Sequence, residues 1–102
     1  MKEDFVYSDA WILLAIIYSG RRQGVSADRS TISQAADYIN HAIPTRDEIN
    51  GALTRLQRAG WVEEDNGNYR ASASALEAYA RTTTPWRDVR KEFEDMRRLL
   101  NV

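Results

Sequence analysis

The sequence predicts a mainly α-helical chain carrying one two-stranded β-hairpin, and three observations predict it. Two segments place apolar residues at i, i+3, i+4 and i+7 behind a helix-opening signal. A nine-residue run, Ala10 to Tyr18, is apolar on every side, as in a helix packed on more than one face. An Asn-Gly pair, Asn66-Gly67, stands between two short runs of strand character. Both central positions of a type I′ turn need positive φ, so this dipeptide is the strongest short hairpin signal.

Taken in order, Ser8 is the expected N-cap of the first helix, with Asp9 complementing its positive end and Gly20 closing it. Arg21 to Arg29 reads as a polar loop around Gly24. Thr31 and Gln34 stand at capping-box spacing and open a second helix with the stripe Ile32, Ala35, Ala36 and Ile39. Pro44 interrupts the chain after it. Thr45 and Glu48 repeat the capping box ahead of Ile49, Ala52, Leu53 and Leu56, and Gly60 stands where a left-handed C-terminal glycine belongs. Trp61–Asp65 and Asn68–Ala71 are the hairpin strands. Ser74 and Glu77 suggest a short helix with Leu76, Tyr79 and Ala80. Thr84-Pro85, as N-cap and N1, is expected to start a last helix.

Composition removes several classes of function. The 102 residues suffice for one domain with a modest core, and 43% hydrophobic with 28% charged is ordinary for a globular chain. Fourteen basic against fifteen acidic residues give a net charge of −1, so this is not a uniformly basic coat for polyanions. Twelve of the fourteen bases are Arg, which suits bidentate phosphate or carboxylate contacts but also follows from GC-rich coding. There is no Cys, which excludes disulfides, thiol nucleophiles and Cys-based zinc sites, and a single His, His41, which excludes a His-rich metal site. The longest apolar run falls well short of the ~20 residues that span a bilayer. It is preceded by Glu3, Asp4 and Asp9 rather than by the positive flank of a signal peptide. A complete small cytoplasmic chain is the expectation.

Leu53-Thr-Arg-Leu-Gln-Arg-Ala-Gly-Trp-Val62, followed by Tyr69-Arg-Ala-Ser72, resembles the winged helix-turn-helix family, in particular small regulators of the MarR and PadR kind. In these a leucine-rich third helix ends in Gly and two hydrophobic residues, and a hairpin wing and a "Y-x-L-T-x-x-G" exit follow. Here the exit reads Tyr69-Arg70-Ala71-Ser72-Ala73-Ser74-Ala75. The resemblance covers residues 8 to 82. It implies a winged-helix domain over 1–84, with a recognition helix at about 45–59 and a wing at about 61–71, and a C-terminal pairing helix over 85–102.

It further implies that the recognition helix lies in the major groove of double-stranded DNA. With its apolar stripe inward, Asp47, Gly51, Thr54 and Arg58 point out, flanked by Arg46, Asn50, Arg55 and Gln57. Arg46, Asn50, Thr54, Arg55, Gln57 and Arg58 are the candidate DNA contacts. Asn50 and Gln57 suit adenine edges, and Arg55 or Arg58 suits guanine or phosphate. Arg70 is the wing's candidate phosphate contact, but Glu63, Glu64 and Asp65 outnumber it and leave the hairpin net acidic. Because phosphate neutralisation supplies non-specific affinity, the acidic wing favours the alternative of a winged-helix protein-interaction module that does not bind DNA.

Trp86, Val89, Phe93, Met96 and Leu100 are spaced as a heptad seam over about two heptads. They are the candidate homodimer interface, or else a stripe that docks on the first helix of its own or a neighbouring subunit. Family precedent favours dimerisation, which would let two recognition helices read two half-sites. Tyr7, Trp11, Trp86 and Phe93 near that surface are candidates for a small aromatic effector. The carboxylates Glu63, Glu64 and Asp65 are consecutive on a hairpin and do not converge, and no glycine stands in a phosphate-loop motif. No enzyme, cofactor or metal is expected; the expected function is a homodimeric transcription regulator that binds operator DNA.

Overall fold

A computed structural model describes residues 4–83 and 88–102. Helices α1 (Tyr7–Ser19), α2 (Arg29–Asn40) and α3 (Arg46–Arg58) are followed by an antiparallel hairpin, β1 (Val62–Asp65) and β2 (Asn68–Ala71). Helices α4 (Ala73–Thr82) and α5 (Val89–Leu100) complete the chain. The expected mainly helical architecture with one hairpin is therefore observed.

α1 is the centre of the molecule. Every residue from Asp9 to Ile17 is buried, and the helix packs against α2, α3, α5 and β2. Its β-branched Ile12, Ile16 and Ile17 each cost a few tenths of a kcal/mol in helix propensity. Burial returns about 1.5–3 kcal/mol for each such side chain, so packing decides the conformation. The indole N–H of Trp11 is satisfied inside the core by donating to the Ala36 carbonyl at 2.8 Å.

The entries of α1, α2 and α4 lie upstream of the expected ones. α1 is capped by Val6 rather than Ser8, with the Asp9 carboxylate accepting from the Val6 N–H at 2.9 Å. Asp28, not Thr31, caps α2 and accepts from the Thr31 N–H at 2.9 Å. Ser72 caps α4 in place of Ser74, whereas α5 starts later than expected, capped by Asp88, four positions after Thr84. Asp28, Ser72 and Asp88 each offer a side-chain oxygen to the N3 amide, whereas Val6 has none and its own N–H is taken by Asp9. Thr84 and Pro85 lie outside the described residues. Only the Thr45–Glu48 box of α3 stands as expected, with bonds of 3.0 and 2.8 Å.

Gly20 ends α1 without a left-handed backbone; its φ is −86°. Arg21 and Arg22 take the positive φ values instead, 57° and 58°. Glycine is required at position 20 for space, since a Cβ there would stand 2.5 Å from the Val25 carbonyl oxygen. The hairpin turn matches expectation, with φ of 53° at Asn66 and 81° at Gly67. Pairing runs Val62 with Ala71, Glu63 with Arg70, Glu64 with Tyr69 and Asp65 with Asn68. One feature of the supposed loop went unseen in the sequence. Ala27 forms an antiparallel bridge to Tyr69, exchanging two backbone bonds of 2.8 Å, and adds a short third strand position to the hairpin.

α5 packs against α1, α2 and α4. A buried polar cluster fastens it: the Tyr18 hydroxyl donates to Glu92 at 2.7 Å, and Tyr79 donates to the other oxygen of the same carboxylate. Arg22 donates from Nε to the Tyr79 oxygen at 2.8 Å and lies 3.5 Å from Glu92. Burial first, and the bond to Glu92 second, push the Tyr79 hydroxyl from its ordinary 10.0 up to about 12. The same two causes, in the same order, raise Tyr18 further.

A phenol that keeps its proton more tightly when folded stabilises the fold fully below its unfolded pKa. That stability is lost as pH rises through the folded value. Denaturant unfolding followed from pH 9 upward is therefore expected to show a steep loss of stability between about pH 10 and 12. In Tyr79→Phe the same fall is expected to be shallower, with about 1–3 kcal/mol already missing at neutral pH. An unchanged alkaline profile in the variant contradicts this account.

Candidate nucleic-acid interface

The turn between α2 and α3 is short. His41 takes a left-handed backbone (φ 54°) and donates its N–H to Asp37 at 2.7 Å, closing α2. The chain then runs through exposed Ile43 and buried Pro44 to the Thr45 cap. α3 buries Ile49, Ala52, Leu53 and Leu56 as predicted. Its other end is a Schellman motif: Gly60 (φ 81°) donates to Gln57 at 3.0 Å and Trp61 donates to Leu56 at 2.9 Å. This exit delivers the chain directly into β1, so the hairpin stands beside α3.

Four of the six candidate contacts on α3 share one exposed row. Arg46, Asn50, Thr54 and Arg58 follow each other at i+4 spacing on the outer face. The Thr54 hydroxyl donates to the Asn50 carbonyl at 3.0 Å. Gln57 is half-buried at the edge of the row.

Arg55 corrects the expectation, because it faces α1 and not the outside. Its Nε and a terminal nitrogen donate to the two carboxylate oxygens of Asp9 at 2.7 and 2.9 Å. Asp9 is fully buried, and this fork-to-fork pair compensates its charge. Helical spacing placed Arg55 on the flank of the stripe, but could not show a carboxylate 46 residues upstream at the same height.

Gly51 has its explanation in the same contact. A Cβ there would come within 2.9 Å of an Arg55 terminal nitrogen, so the missing side chain makes room for the guanidinium to fold back towards Asp9. Gly→Ala in an exposed helix interior brings roughly 1 kcal/mol. At Gly51 that gain is expected to be absent, and a full 1 kcal/mol increase in unfolding free energy would show that Arg55 shifts at no cost.

The hairpin is acidic as read. Glu63, Glu64 and Asp65 are exposed, and Arg70 is engaged across the strands, its Nε donating to Glu63 at 2.9 Å. Both members are largely solvated, so the pair is worth little in stability. Its consequence is electrostatic: the hairpin's one base, Arg70, is paired with its cross-strand neighbour Glu63.

Arg29 is the residue that sequence reading missed. As the first residue of α2 it reaches α3, donating from Nε to the Asn50 side-chain oxygen at 3.2 Å. Its guanidinium carbon lies 5.4 Å from the centre of the Tyr69 ring on β2. The signal was available: taking Asp28 as the cap places Arg29 at the helix start, beside the strand stub at Ala27. α2, α3 and the hairpin thus meet at one exposed basic residue.

The heptad stripe is used within the chain. Phe93, Met96 and Leu100 are buried in the common core, with Val89 packed partly against it. Trp86 lies outside the described residues. Within the chain, Phe93, Met96 and Leu100 dock on its own first helix. Of the aromatic candidates, Trp11 and Phe93 belong to the core, while Tyr7 is exposed. Trp11 is buried, and Tyr7 meets Phe93 edge to face with centroids 5.3 Å apart. Among the described residues no group of three His, Asp or Glu is placed to hold a metal, and no helix is long and apolar enough to cross a membrane. No family model matches the sequence, and neither the curated proteins nor the solved structures contain a match to the chain.

Proposed function

We propose that the chain is a winged-helix DNA-binding module whose α3 enters the major groove, acting as a transcription regulator. The observation that carries this reading is the outer row Arg46, Asn50, Thr54 and Arg58. It is exposed on a helix that follows a tight turn and is flanked by a hairpin. The row holds two guanidinium groups and one amide, the side chains that pair with guanine or phosphate and with adenine.

We propose that the chain acts with a second copy of itself as a homodimer. A second copy binding an adjacent half-site would meet it on a surface other than Phe93, Met96 and Leu100, which are internal.

A second reading, a winged-helix module that binds protein and not DNA, is favoured by the wing. Three exposed acids stand there, and its one base is already paired. The two readings separate in one experiment: selection from random double-stranded DNA pools, repeated across a salt series. The DNA reading expects enrichment of a defined site, log affinity falling with log salt, and weaker binding by Arg58→Ala. No binding at ~50 mM salt, where phosphate contacts are strong, sinks it and leaves the protein-interaction module.

A further inference from the structure

We infer that Arg29 is a specificity-determining residue of this surface, acting through Asn50 and not by touching a base itself. The inference rests on the DNA reading above and adds a claim about how the amide on α3 is oriented. An asparagine side chain has an accepting and a donating end, and only one of the two flips suits a given base edge. Arginine has donors and no acceptor. The bond from Arg29 Nε to Asn50 Oδ1, at 3.2 Å, therefore fixes the flip: the oxygen faces α2 and the NH2 group is left to donate elsewhere.

Arg29 is itself held in place. Its guanidinium lies over the ring of Tyr69 at 5.4 Å, and Tyr69 is buried and bridged to Ala27, two residues before Arg29. An exposed arginine tied on both sides is unusual, because its long side chain loses much rotamer freedom on being fixed. Below it, Thr54 bonds the Asn50 carbonyl, so the backbone carrying the amide is also braced.

With the amide so set, the Asn50 NH2 group meets an acceptor in the major groove. A purine N7 with an adenine amino group beside it uses both the NH2 and the remaining lone pair of Oδ1. The partner class is thus a purine, adenine before guanine, at one position of the site.

The test is sequence selection on the full chain and on Arg29→Ala, Arg29→Lys, Asn50→Ala and the double variant Arg29→Ala/Asn50→Ala, each over a salt series. Thermal unfolding of each variant confirms that it is folded. Arg29→Ala and Asn50→Ala are expected to relax the same single base position, about ten-fold in preference. The double variant is expected to be no worse there than either alone. Arg29→Lys retains the charge but not the flat group over Tyr69, so it is expected to keep the salt slope while relaxing that position. A uniform loss of affinity in Arg29→Ala, with the salt slope reduced by about one and selection unchanged, makes Arg29 a phosphate contact and overturns the inference. Unaltered selection in Arg29→Ala or in Asn50→Ala overturns it equally. Failure of the unmodified chain to bind any DNA overturns the DNA reading, and this inference with it; the two failures are told apart by that one arm.

Discussion

A chain ended at Thr83 is expected to lose cooperative unfolding altogether, and not to persist as a smaller folded domain. The truncation removes Phe93, Met96 and Leu100 from the core and uncovers the α1 surface they close. Each large apolar side chain withdrawn from burial costs about 1.5–3 kcal/mol, and three of them approach the 5–15 kcal/mol that holds a typical domain together. The Glu92 clasp on Tyr18 and Tyr79 goes with them. The milder Met96→Ala is expected to remain folded with about 2–5 kcal/mol less stability, because Met96 has no exposed surface and its loss leaves a cavity. Far-UV circular dichroism with denaturant titration measures both. A Thr83-ended chain that stays folded and monomeric, beside a dimeric full-length protein, would return the last helix to a pairing role.

Arg55→Ala is the point substitution expected to cost most among the charged residues, about 3–5 kcal/mol, whereas Arg58→Ala on the outer row is expected to change stability by less than about 0.5 kcal/mol. The contrast follows from placement and not from residue type. Removing the Arg55 guanidinium leaves the fully buried Asp9 carboxylate with the Val6 N–H and without its two charge-assisted bonds. Asp9→Ala/Arg55→Ala is expected to be far less damaging than the sum of its single changes, since no buried charge is then left unpaired. Urea titrations of the two singles and the double close this cycle, and simple additivity would show that the pair is not coupled. The cycle also bears on the proposed function: if the chain binds DNA, a loss of binding in Arg55→Ala would trace to the fold, while the same loss in the stable Arg58→Ala would trace to the surface.

Much of the architecture was legible because it rests on local rules. The stripe of α3, its Thr45–Glu48 box and the Asn66-Gly67 turn each involve residues within a few positions of one another, so their geometry is written in the spacing. Helix entries were less legible, since several Ser, Thr and Asp residues compete as caps and the winner depends on the chain before it; Asp28 against Thr31 is the clearest case. Least legible were the long-range contacts. Nothing in the spacing of α3 points to Asp9 as the partner of Arg55, or to Arg29 as the neighbour of Asn50. The heptad spacing of the last helix picked out Phe93, Met96 and Leu100 as apolar face but left open what they pack on, because a stripe suited to a second helix is equally suited to α1.

The enclosure of α1 also has a kinetic meaning. A helix walled in by α2, α3, α5 and β2 cannot open by itself, since any local motion that frees its amides must first displace elements on every side. Its backbone protons, from Leu13 to Ile17, should therefore exchange with deuterated solvent only when the whole molecule opens. Such a hub leaves few partly folded forms for the chain to visit, and makes the slowest-exchanging amides of the first helix a direct gauge of its total stability.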